Sequence, residues 1–159
     1  MIIKYKITKE FINFRNERAN KFKSNGRNRR TQLIHADCEL AEVLVSHLGL
    51  QEKSNVPNYD TISEKLGKCE YKCINNSGNV TIKYWCSNQN FKHFILWKFL
   101  NLHDEPLKEG DEGSIQICEI VSKKDLMNRA QISQYSHNLN EPDYYARAKN
   151  SVQITENML

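Results

Sequence analysis

Residues 60–74, which read Asp-Thr-Ile-Ser-Glu-Lys-Leu-Gly-Lys-Cys-Glu-Tyr-Lys-Cys-Ile, constrain the chain more than any other stretch. As a strand, residues 68–74 put Glu70 and Lys72 on one face and Cys69, Tyr71 and Cys73 on the other, because side chains alternate along an extended backbone. One face is then ionic and the other packs. Asp60 stands ten residues before Glu70, near the end of a preceding short strand, and a turn over residues 63–67 would return its carboxylate beside Glu70. Two carboxylates and an ammonium converge in that arrangement. Carboxylate oxygens are the hard donors that Mg2+ prefers, and a Lys beside the ion can orient an attacking water or help to deprotonate it, which is equipment for phosphodiester hydrolysis. An acid followed by Glu-x-Lys also occurs by chance in charged chains as an ordinary surface hairpin.

The length of 159 residues fits one domain, with a real core and no room for a separate recognition module. Binding and chemistry must share one surface. The net charge of +4 is unevenly placed. Arg15, Arg18, Lys21, Lys23, Arg27, Arg29 and Arg30 face a single acid, Glu17, whereas residues 104–112 hold Asp104, Glu105, Glu109, Asp111 and Glu112 against Lys108. Such a split favours one polyanion-facing side. The five cysteines are odd in number and include no CxxC, and no His pair has zinc spacing. Reduced thiols and a cytoplasmic location are expected, with Cys69 and Cys73 as small core residues. Neither a long apolar span nor a signal peptide is legible, so no membrane partner is expected.

Along the chain, Thr8 can cap a first helix with Phe11, Phe14 and Phe22 inside and Arg15, Arg18 and Lys21 outside. A second helix is predicted over residues 31–48 from Leu33, Ile34, Leu40, Ala41, Leu44 and Leu48, with Gly49 to end it. Glu39 lies on its polar side. After the Glu-x-Lys strand, residues 75–79 read as a hairpin turn, and Val80, Ile82 and Tyr84 alternate with Thr81, Lys83 and Trp85 in a third strand that would complete a meander. Residues 86–90 form a polar cluster beyond it. Ser87, Asn88, Gln89 and Asn90 can pair with base edges, and equally can form an ordinary polar loop. Residues 93–101 are predicted as a buried strand in preference to a helix. Residues 114–121 form another strand, alternating Ile115, Ile117 and Val121 with Gln116, and Ser122 opens a helix to about Arg129. Residues 140–143 break the polar tail, and residues 152–154 could form a short edge segment.

The acid, the Glu-x-Lys and this order of elements resemble the PD-(D/E)xK nuclease superfamily, and within it the small dimeric Type II restriction endonucleases, over roughly residues 30–155. The family's name places Pro directly before the acid; here Pro57 lies three residues earlier. The resemblance implies an α/β fold, a restriction-endonuclease-like mixed β-sheet flanked by helices in a single domain. It would have an N-terminal helical and dimerisation part over about 1–30, a catalytic core over about 31–130 and a tail over 131–159. It implies Asp60, Glu70 and Lys72 as catalytic residues, and Mg2+ held by Asp60, Glu70, the backbone carbonyl of Tyr71 and, as a secondary candidate, Glu39. The implied function is Mg2+-dependent, sequence-specific hydrolysis of double-stranded DNA by a homodimer, with a methyltransferase acting on the same site. Arg27, Arg29, Arg30 and Lys83 would then contact phosphates, and residues 87–90 would read bases. A structure-selective nuclease of the same fold and a non-catalytic DNA-binding protein are the competing readings.

Overall fold

The computed structural model describes residues 1–23, 52–53, 59–100, 107–150 and 153–159. The predicted helix over 31–48, Glu39 and the Arg27, Arg29, Arg30 cluster lie outside them. The protein is a small mixed α/β domain. Its larger sheet contains β1 (Ile2–Lys6), β2 (Glu52–Lys53), β3 (Thr61–Ser63), β4 (Gly67–Cys73), β6 (His93–Phe99) and β7 (Glu112–Ser122), in the order β1-β7-β6-β4-β3-β2. The β4/β6 pair is parallel and the other neighbours are antiparallel. A second sheet has β5 (Asn79–Ile82), β8 (Gln131–Ile132) and β9 (Tyr144–Arg147) in the order β5-β9-β8.

The run expected to be a buried strand is β6, and it occupies the middle of the larger sheet because both its faces are apolar. Ile95 and Trp97 join Cys69, Tyr71, Ile115 and Ile117 in one core, closed by Ile3, Tyr5, Ile7, Phe11 and Ile154. Phe94 and Leu96 face the other way, into a core with Val80, Ile82, Cys86, Phe91, Val121, Leu126 and Ala146. This placement overturns the expected meander. The turn at residues 75–79 does form, with the Asn75 Oδ1 accepting from the Ser77 and Asn79 amides, but the strand after it leaves the larger sheet and pairs with β9. The apolar β6 takes the place beside β4, since a strand that must bury two faces outcompetes the local hairpin.

Two other expectations yield to long-range contacts. The third strand ends at Ile82, and Tyr84–Ser87 form a short helix, α2. Asp143 causes the switch: its Oδ1 accepts the Tyr84 amide at 3.1 Å and its Oδ2 pairs with Lys83 at 2.9 Å, satisfying a donor that a helix start leaves orphaned. In β7 a bulge displaces the register at Cys118, so that Leu96 faces Glu119 while Trp97 faces Ile117. One extra residue reverses which face every later side chain occupies. Val121 therefore sits in the opposite core from Ile115 and Ile117, and Glu119 is buried, where the Arg129 guanidinium (2.6 Å) and the Lys149 amide (2.7 Å) donate to it.

The first helix, α1 (Lys9–Lys23), starts as expected, with the Phe11 amide donating to Thr8 Oγ1. Phe11 is committed to the chain's own core and stacks on Tyr5. Arg15 is buried rather than outside, because it follows Phe11 by four residues on the same helical face. Helix α3 (Lys123–Arg129) begins at Ser122, whose hydroxyl accepts the Asp125 amide. Among the described residues, Cys69, Cys73, Cys86 and Cys118 are free thiols, and no helix is long and apolar enough to cross a membrane.

Gly113 lies opposite Tyr5 in the β1/β7 pair, and a Cβ there would stand 2.4–2.6 Å from the Tyr5 ring. The stacked Phe11 prevents that ring from swinging aside. Gly113→Ala is therefore expected to lower unfolding free energy by about 1–3 kcal/mol, measured by urea denaturation.

Candidate active site

The Glu-x-Lys strand is β4, one residue earlier than expected and with the expected facing. Tyr71 and Cys69 face the first core, while Glu70 and Lys72 share a side with Phe94 and Leu96, their parallel partners on β6. Lys68 belongs to the same alternating series. Above this face stand β5, α2 and α3, so Glu70 is buried and Lys72 half-buried. Sequence periodicity correctly separates the ionic from the packed face but does not reveal that both faces are covered.

Asp60 reaches the pair because it immediately precedes β3, which begins at Thr61 opposite Cys69, rather than standing near a strand's end as expected. The Asp60 amide donates to the Cys69 carbonyl at 3.0 Å. Beyond that point the carboxylate takes over the role of a strand: Asp60 Oδ2 accepts the Tyr71 amide at 2.9 Å. A residue's N–H and C=O leave an extended backbone on the same side, so the Tyr71 carbonyl projects from the edge that carries Asp60. Lys72 Nζ donates to Glu70 Oε1 at 3.0 Å, and the Cys86 thiol donates to the same oxygen at 3.5 Å. Asp60 lies near enough to Glu70 to feel its charge. The three residues singled out from the sequence thus meet in one cluster, and Cys86 joins them.

Charge crowding follows from burial. Burial first, then the neighbouring Glu70 charge, push the Asp60 carboxyl up from 3.8 to about 6, against the Tyr71 amide and Lys72, which pull it down. For Lys72 burial acts downward, but Cys86, Glu70 and Asp60 together outweigh it and the ammonium titrates above its ordinary range. Burial pushes the Cys86 thiol up to about 12. Cys86 is therefore a neutral thiol at neutral pH. Lys72 serves this site as a cation and hydrogen-bond donor.

Among the described residues, no three His, Cys, Asp or Glu side chains form a metal-binding group. The donor set still suits Mg2+. That ion commonly takes one or two carboxylates and keeps several waters, and a buried and a half-buried carboxylate that repel each other beside a backbone carbonyl are hard donors whose repulsion a divalent cation would relieve.

The proposed DNA contacts are differently engaged. Lys83 is exposed and paired with Asp143. Ser87 Oγ and Asn88 Nδ2 both donate to the Tyr84 carbonyl, and the Gln89 carbonyl accepts Lys123 Nζ at 2.7 Å. Asn88 and Asn90 remain exposed. Three groups near the cluster lacked a sequence signal. Lys123 Nζ lies 4.5 Å from the Phe91 ring centroid and feels the Glu70 charge. Lys68 Nζ stands 5.0 Å from the Tyr59 ring centroid. Trp85, expected merely as a strand residue, sits on α2 with its ring 5.8 Å from Lys72 Nζ. No protein-family model matches the chain, and no curated protein matches it.

A carboxyl titrating higher in the folded than in the unfolded protein contributes stability below the unfolded value, and that contribution is lost as pH rises through the folded value. With Asp60 at about 6, the metal-free protein loses stability between roughly pH 4 and 7 at this site. Asp60→Asn keeps an acceptor for the Tyr71 amide and removes the repulsion. In EDTA, its melting temperature should match wild type near pH 4 and exceed it at pH 7.5 by on the order of a few degrees.

Proposed function

We propose that this protein is a Mg2+-dependent deoxyribonuclease of the restriction-endonuclease-like fold, acting on double-stranded DNA as a homodimer. The observation that carries this reading is the convergence of Asp60, Glu70 and Lys72 just before the start of β3, where the Asp60 carboxylate takes the strand's place against β4. The parallel β4/β6 pair beside the site and the mixed sheet with helices are compatible with it. Asp60, Glu70 and the Tyr71 carbonyl would hold Mg2+, which when bound supplies Lewis acidity at the phosphate and the departing oxygen.

The chain's own residues account for the rest. Lys72, charged and held at 3.0 Å from Glu70, can turn an N–H toward an attacking water or a phosphoryl oxygen, where negative charge grows during in-line displacement. Water adds to phosphorus as the bond to the 3′ oxygen breaks, leaving a 3′-hydroxyl and a 5′-phosphate. Lys68 and Lys123 add positive potential along the phosphate path, while the base-reading role proposed for residues 87–90 falls to Asn88 and Asn90, which are exposed beyond α2. Pairing of two copies would place one such site on each strand of a twofold-symmetric duplex. The Type II restriction reading adds a fixed target sequence and a cognate methyltransferase.

Purified protein would be incubated with mixed-sequence plasmid and with a four-way junction, with and without Mg2+. Discrete plasmid fragments that require Mg2+ are the expected result. Glu70→Gln and Lys72→Ala should each slow cleavage on the order of a hundredfold or more while retaining DNA binding. Cutting of the junction alone would assign a structure-selective nuclease. Salt-sensitive binding with no cutting of either substrate would instead leave a DNA-binding module.

A further inference from the structure

Trp85 is 58% exposed, although it is held at the edge of the buried ionic cluster. Its backbone is pinned on both sides. Before it, the Tyr84 amide donates to Asp143; after it, Cys86 is wholly buried with its thiol against Glu70. The exposed indole is therefore part of a fixed turn of helix rather than a loose loop tip. Its ring centroid lies 5.8 Å from Lys72 Nζ, a separation of less than two steps along a nucleic-acid strand at roughly 3.4 Å per nucleotide. A phosphate at Lys72 would therefore have an adjoining nucleotide within reach of Trp85.

We infer that Trp85 stacks on a base that has left the helical stack next to the scissile phosphate, so that the preferred substrate is DNA with an unpaired or unstacked base at the cleavage point. This inference rests on the nuclease reading and, within it, favours the structure-selective alternative over cutting of uninterrupted duplex. A flat indole gains most from a flat partner, and base stacking on an aromatic side chain contributes about 1–3 kcal/mol. Intact duplex keeps base faces covered and offers edges and sugars in its grooves, where Asn or Arg serves better than Trp. Proteins that wedge apolar side chains into duplex DNA do so by unstacking a step. Trp85 adds this capacity beside the ammonium that would act on the phosphate.

The chain has two tryptophans, and the other, Trp97, is 1% exposed. Acrylamide quenching of intrinsic fluorescence therefore reads Trp85. Full-length protein in Ca2+ would be titrated with a blunt duplex and with a forked duplex carrying an unpaired thymidine arm. The forked DNA should shield Trp85 from acrylamide and the blunt duplex should not. In Mg2+, Trp85→Ala should raise KM for forked DNA about tenfold with a smaller change in kcat, and Trp85→Phe should recover most of the loss. Equal shielding by both DNAs would overturn the inference, as would forked DNA that is cut normally by Trp85→Ala. Shielding by forked DNA without Mg2+-dependent cleavage of any substrate would keep the stacking site and remove the nuclease. Absence of both would remove both.

Discussion

Burying a carboxylate and an ammonium inside a small domain is costly unless each finds partners, and the surroundings of Glu70 and Lys72 follow from that cost. The two side chains satisfy each other at 3.0 Å. Cys86 donates to the same Glu70 oxygen, and Asp60 approaches from the edge that β3 vacates. Burial first, and then crowding by Glu70, is why Asp60 resists ionisation. An arrangement tuned for stability alone would place an apolar residue at one of these positions. Under the function proposed above, a bound cation would relieve this residual repulsion.

The second sheet has its own reason to exist in this light. β4 presents an ionic face, and β6 beside it presents Phe94 and Leu96 on that same side. The apolar part needs a cover. β5, α2 and α3 supply the cover over Phe94, Leu96 and Val121, and the lid of the ionic part is the short α2, with Cys86 turned inward and Trp85 turned outward.

The sequence was informative where local chemistry decides and uninformative where distant partners do. Alternation around Glu70, the Thr8 and Ser122 caps, and the buried character of residues 93–99 depend on neighbours within a few positions, and all are present. The parallel pairing of β4 with β6 depends on competition between strands far apart in the chain. Conversion of residues 84–87 to helix depends on Asp143, and the inversion of β7 depends on one bulged residue that no alternation pattern announces. β8 and β9 carry little local signal because they are short and lie in a polar tail, whereas β1 alternates buried Ile3 and Tyr5 with exposed Lys4 and Lys6, a pattern legible in the sequence. In the site, residue types identified Asp60, Glu70 and Lys72 from their spacing. Cys86, Lys68, Lys123 and Trp85 carry no spacing signature, since they arrive through α2, α3 and the facing of β4.

Asp143 holds the first turn of α2 from 59 positions away, and this sets an order of events during folding. Contacts between distant residues form late, after the loops that separate them have closed. During synthesis the chain emerges from its N-terminal end, so β4 and its carboxylates can leave the ribosome while the acceptor that shapes α2 has yet to be made. The inward thiol and outward indole then have no fixed helix to sit on. A nascent chain carries the acidic residues early but gains the helix that covers them late, so the carboxylates and the ammonium meet in water before they meet in the fold.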